Sequence, residues 1–77
     1  MSEVRFPELS KEQPDAEGVL ATWFVNDGDQ VASGQLLGEV MVDKASGDVL
    51  APAAGRVRLL VAEEQAARQG TVIATVE

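Results

Sequence analysis

Cysteine and histidine are both absent from these 77 residues. Without cysteine there is no disulfide, no thiolate nucleophile and no thiolate metal site. Without histidine the commonest general base and the commonest metal ligand are gone. No apolar run approaches the ~20 residues that span a bilayer. The N-terminus does not show the basic, apolar, small-residue order of a signal peptide. A soluble chain, cytoplasmic or in a mitochondrial matrix and not bound to membrane, is the expectation. Lysine and arginine number six against thirteen acids, a net charge of −7. Nucleic acid is therefore not an expected partner, since phosphate binding needs clustered cations. No acid–base pair is assembled, so the chain does not read as an enzyme.

The length fits one domain over residues 1–77. A unit this small buries only roughly 60% of the surface its unfolded chain exposes, so its core must be economical. Glycine and proline punctuate the chain at Pro7, Pro14, Gly18, Gly28, Gly34, Gly47, Pro52, Gly55 and Gly70, leaving no room for a long helix. The best helical candidate, Ala62 to Gln69, is eight residues long and stops at Gly70; it reads as a turn. Alternation places Val57, Leu59 and Val61 on one face, and Val72, Ala74 and Val76 on another. Residues 19–25 and 35–42 are also apolar and β-prone, and the fold class is all-β.

The chain repeats itself. A shift of 36 residues lays Gly34–Val40 on Gly70–Val76, and Ala21, Trp23 and Val25 on Val57, Leu59 and Val61. The expected inward sets are Leu36, Gly38, Val40 and Val72, Ala74, Val76. Gly18 and Gly55 are 37 apart, which implies a one-residue slip in the first strand of each half. Two related β motifs closed against each other account for the repeat.

Only two lysines are present, Lys11 and Lys44. Lys44 lies where two β-prone stretches meet at a short polar tip, a place where another enzyme can reach its amine. Lys11 lies in an acidic, proline-flanked segment and reads as solvated. The acids crowd Glu8, Glu12, Asp15 and Glu17, and again Asp27 and Asp29; such clusters keep a protein soluble and can steer basic partner surfaces.

Three segments stand in order: Gly28-Asp-Gln-Val-Ala-Ser-Gly-Gln35, Asp43-Lys44-Ala45, and Ala51-Pro-Ala-Ala-Gly55. Together they resemble the lipoyl domain of dihydrolipoyl acyltransferases in 2-oxo acid dehydrogenase complexes, over about residues 4 to 77. The resemblance implies a flattened β-barrel of two four-stranded sheets with internal quasi-two-fold symmetry. It implies lipoic acid in amide linkage to Lys44, acting as a swinging arm. The implied partners are a lipoate-attaching enzyme, a 2-oxo acid dehydrogenase, an acyltransferase catalytic domain and dihydrolipoamide dehydrogenase. Asp43 and Ala45 would form the turn and be recognised with it. The segment from Pro7 to Glu17, which lies near the lysine in this family, would let partners discriminate through Glu12 and Asp15. The chain departs from the family in carrying Met41 where a glutamate is usual, in Glu64-Gln65 opposite Gly28-Asp29, and in two or three extra residues between Pro7 and Glu17. The alternatives are a biotin carrier, which typically shows Met-Lys-Met at the tip, and an unmodified β-barrel binding module. As an isolated domain the chain is expected to be monomeric.

Overall fold

Frequent turn residues allow only short strands, and the computed structural model, which describes residues 2–13 and 16–77, contains eight. They are β1 (Ser2–Arg5), β2 (Glu17–Trp23), β3 (Gln30–Val31), β4 (Leu36–Val42), β5 (Ala45–Leu50), β6 (Gly55–Leu59), β7 (Ala66–Arg68) and β8 (Val72–Val76). They form two four-stranded antiparallel sheets, in the orders β1-β8-β6-β3 and β5-β4-β2-β7. The segment Ala62–Gln69 is a turn running into β7, and no helix occurs among the described residues. Four strands, β1, β3, β5 and β7, carry too few alternating apolar residues to stand out in the sequence.

Leu20, Leu37, Val40, Val57, Ile73 and Phe6 fill the space between the sheets and are essentially inaccessible to solvent. Burying a side chain of this size contributes about 1.5–3 kcal/mol. Among the described residues no buried side-chain nitrogen or oxygen lacks a partner.

Two expected inward positions are corrected. Leu36 and Val72 are not the core residues of their strands; Leu37 and Ile73 are. In β4 the register jumps from Leu36 to Gly38, and β1 pairs its Val4 and Arg5 with Ala74 and Val72 of β8. Leu37 and Ile73 are thus bulge residues, which a ladder leaves unpaired and turns off the regular alternation. Their carbonyls accept from Phe24 N–H (2.8 Å) and Leu60 N–H (2.9 Å), again 36 residues apart. In β2 the register jumps between Leu20 and Thr22. Ala21 is therefore the extra residue, and the buried partner of Val57 is Leu20. That bulge is the one-residue slip between Gly18 and Gly55.

The quasi-symmetry extends to single hydrogen bonds. Gly28 N–H donates to the Val57 carbonyl (2.7 Å), and Glu64 N–H to that of Leu20 (2.7 Å). Asp27 accepts from Leu59 N–H at 2.8 Å, and Glu63 from Trp23 N–H at 3.0 Å. Asp29 and Gln65 accept from Asn26 and Ala62 N–H in the same way. Gly28 sits at φ +90° and Glu64 at φ +68°. The second turn therefore keeps the left-handed backbone although a glutamate occupies the place where glycine is unstrained.

Candidate functional site

β4 and β5 form a hairpin in which Val42 pairs with Ala45, leaving Asp43 and Lys44 as a two-residue turn. Such turns demand positive φ at their first central position, a conformation aspartate tolerates better than most residues. Asp43 adopts φ +54°. Val42 beneath it is buried in the core, so the turn rises directly from rigid sheet. Lys44 is exposed and makes no hydrogen bond or ion pair with any described residue.

The segment before β2 folds against this hairpin. Leu9, Ser10, Lys11 and Glu12 face Val42, Asp43, Lys44 and Ala45 across an open groove of about 610 Å³. Leu9 lies over β5 where Gly47 has no side chain: a Cβ there would stand 2.6 Å from Leu9 Cδ2. Gln69 holds the segment from the other side. Its Oε1 accepts from Ser10 N–H at 2.7 Å, and its Nε2 donates to the carbonyls of Ser10 (3.3 Å) and Gln13 (3.0 Å).

In the structure Glu12 lines the same groove as Asp43, Lys44 and Ala45. Asp15 lies outside the described residues. Lys11 is exposed and lines the same groove as Lys44. Leu9, Gly47 and Gln69 escaped the sequence reading. Gly47, a glycine inside an otherwise β-prone run, was the one available signal, since such a residue often marks close approach of another segment. Met41 is exposed and pairs with Val19 on the outer face of its sheet.

Trp23 belongs to the core margin. It packs against the buried cluster and donates its Nε1–H to the Val61 carbonyl at 2.9 Å. The Glu63 carboxyl is held below its ordinary value chiefly by the Thr22 hydroxyl at 2.7 Å, then by Trp23 N–H, with slight desolvation opposing. Neither residue lines the groove. Among the described residues no group of carboxylates could hold a metal ion.

The family model described as "Biotin-requiring enzyme", that of biotin and lipoyl attachment domains, matches residues 2–76. Pyruvate dehydrogenase E1 component subunit beta of Rhizobium meliloti is 39% identical over 61 residues, 78% of this chain and 13% of that protein. The lipoamide acyltransferase component of the branched-chain alpha-keto acid dehydrogenase complex of Pseudomonas aeruginosa is 37% identical over 57 residues, 74% of this chain and 13% of that protein. The dihydrolipoyllysine-residue succinyltransferase component of the 2-oxoglutarate dehydrogenase complex of Staphylococcus saprophyticus is 36% identical over 64 residues, 83% of this chain and 15% of that protein. The chain therefore spans no more than 15% of the length of these relatives. Since the family match runs through all eight strands and the lysine turn between them, this chain belongs to the biotin/lipoyl attachment family, as a lipoyl-type domain.

Proposed function

We propose that Lys44 is the attachment point of lipoic acid, and that the domain carries acyl groups and reducing equivalents between the active sites of a 2-oxo acid dehydrogenase-type complex. The observation that carries this reading is the turn itself: an exposed, unpartnered amine presented by a two-residue hairpin on a rigid strand pair. The two relatives named as a lipoamide acyltransferase and a dihydrolipoyllysine-residue succinyltransferase favour lipoate over biotin.

The chain's own residues do three things in this scheme. Asp43 takes up the left-handed backbone that lifts Lys44 clear of the sheet. Lys44 Nζ attacks a carboxyl group activated by the attaching enzyme, the amide bond forms, and the amine proton and activating group leave. The flanking segment, with Glu12 on the groove, gives partner enzymes a surface to read beside the tip. Lipoate held on Lys44 would supply a redox-active disulfide suited to reductive acylation, acyl transfer to a thiol and reoxidation. Tethering raises the effective concentration of that group at each successive site. The proposed partners are the attaching enzyme, a 2-oxo acid dehydrogenase, an acyltransferase catalytic domain and dihydrolipoamide dehydrogenase, with no catalytic group supplied by this chain.

Intact mass followed by peptide mapping tests the assignment, on protein produced in cells that lipoylate and biotinylate. One lipoyl group on Lys44 is expected. Biotin at the same residue would move the protein to the other branch of the family, and a bare lysine would overturn the carrier reading.

A further inference from the structure

The main-chain bonds of the corresponding turns match between the halves, and Gln69 is a side chain that departs from the match in the direction of Lys44. The turn Ala32-Ser-Gly-Gln35 corresponds to Arg68-Gln-Gly-Thr71, with Gly34 and Gly70 at φ +82° and +85°. Gln35 N–H donates to the Ala32 carbonyl at 3.1 Å, and Thr71 N–H to that of Arg68 at 3.2 Å. Position 33 carries an exposed serine. Its counterpart, Gln69, is half-buried and reaches back 59 residues in sequence to grip Ser10, and 56 to grip Gln13. Among the described residues Gln69 supplies every hydrogen bond that ties segment 7–13 to another element.

That segment is one wall of the groove beside Lys44. Its other restraint is the seat of Leu9 over Gly47. The turn itself depends on neither, because Asp43, Lys44 and Ala45 are positioned by the β4–β5 ladder. The two surfaces an enzyme meets at this end of the domain are therefore fixed by different parts of the chain.

We infer that Gln69 is a positioning residue for partner selection: by clamping Ser10 and Gln13 it sets the wall that the acylating dehydrogenase reads, while the attaching enzyme reads the turn alone. This inference rests on the lipoyl reading of Lys44. Loss of the clamp releases the wall and leaves the amine where it was. The dehydrogenase must then order the segment on docking, which weakens its hold on the domain and leaves the chemistry at the tip unchanged.

Gln69→Ala and Gln69→Glu test the inference on the full chain. The glutamate keeps the acceptor for Ser10 N–H but sets repelling oxygens against both carbonyls. Ser33→Ala, the quasi-symmetric position, serves as the control. Both Gln69 variants should take up lipoate to the wild-type extent by intact mass. In Gln69→Ala, which removes the acceptor, hydrogen exchange at the Ser10 amide should quicken roughly tenfold or more. In reductive acylation by a 2-oxo acid dehydrogenase that accepts the wild-type domain, the KM for the domain should rise several-fold with kcat unchanged, and Ser33→Ala should match wild type on every measure. Unchanged KM despite faster exchange, unchanged exchange in Gln69→Ala, or equal loss of lipoylation and acylation would each overturn the inference. Failure of the underlying carrier reading is seen separately, as a wild-type Lys44 that takes no lipoate.

Discussion

Gly28 and Glu64 occupy the same place in two related turns, so exchanging their residue types should move stability in opposite directions. A Cβ on Gly28 would meet no atom within 4 Å, so Gly28→Ala creates no clash and its effect is conformational. Holding a residue with a Cβ in the left-handed region costs roughly 1–2 kcal/mol. Removing glycine's freedom from the unfolded chain returns about 0.4–1 kcal/mol. Gly28→Ala should therefore destabilise by about 0.5–1 kcal/mol. Glu64→Gly relieves the same strain at φ +68° and should stabilise by a similar amount. In a domain of this size about 1 kcal/mol moves Tm by roughly 4–8 °C. Shifts of about 2–8 °C of opposite sign are expected by circular dichroism or calorimetry. Glu64→Gln separates the backbone effect from the loss of one charge in a chain of net −7. If the two exchanges shift Tm in the same direction, or if Glu64→Gln reproduces Glu64→Gly, the strain argument is wrong.

Lys44→Arg should fold as wild type does and lose the adduct, whereas loss of folding would make Lys44 a structural residue. Gly47→Val pushes against Leu9, and because a flexible side chain can yield, the cost should stay within about 1–3 kcal/mol; protease accessibility of segment 9–12 should rise while Lys44 is still modified. The Glu63 carboxyl has a lowered folded value, so its stabilising contribution is complete above the ordinary 4.5 and vanishes as pH falls through the lower folded value. The Tm gap between wild type and Glu63→Gln should thus be wider at neutral pH than in strong acid, and a gap independent of pH would refute this. Neutralising Glu12 together with Asp15 should slow reductive acylation at low ionic strength, with the difference fading as salt rises; equal rates at low salt would remove the steering role.

The all-β class and the two-fold repeat were legible because alternation and glycine spacing survive a 36-residue shift. What misled the reading was local. Strict alternation put Leu36 and Val72 in the core, and nothing in their composition distinguishes them from Leu37 and Ile73, which the bulges turn inward. The slip at Ala21 was visible as the uneven Gly18–Gly55 spacing, since a bulge adds one residue without changing the pattern around it. Within the site, Lys44 stood out through scarcity, being one of two lysines at a strand junction. Lys11, Leu9 and Gln69 did not, because a polar segment between prolines carries no periodic signal for the surface it will pack on. Gln69 is joined to that segment only through tertiary contact, across 59 residues from Ser10.

The relation between the halves has a counterpart at the chain ends. β4 turns through Asp43-Lys44 into β5; in the other half the matching strands are β8 and β1, which pair Val76 with Ser2 where the backbone is interrupted. Phe6, at the far end of β1, converges with Val42 over Gly18, whereas Glu77 lies against Gly55. Ser2 and Glu77 thus lie at the end of their sheet away from Val42, on which the lysine turn stands. A polypeptide joined to either end would depart on the side away from the lysine turn, leaving segment 9–12 as the neighbour that bounds that turn.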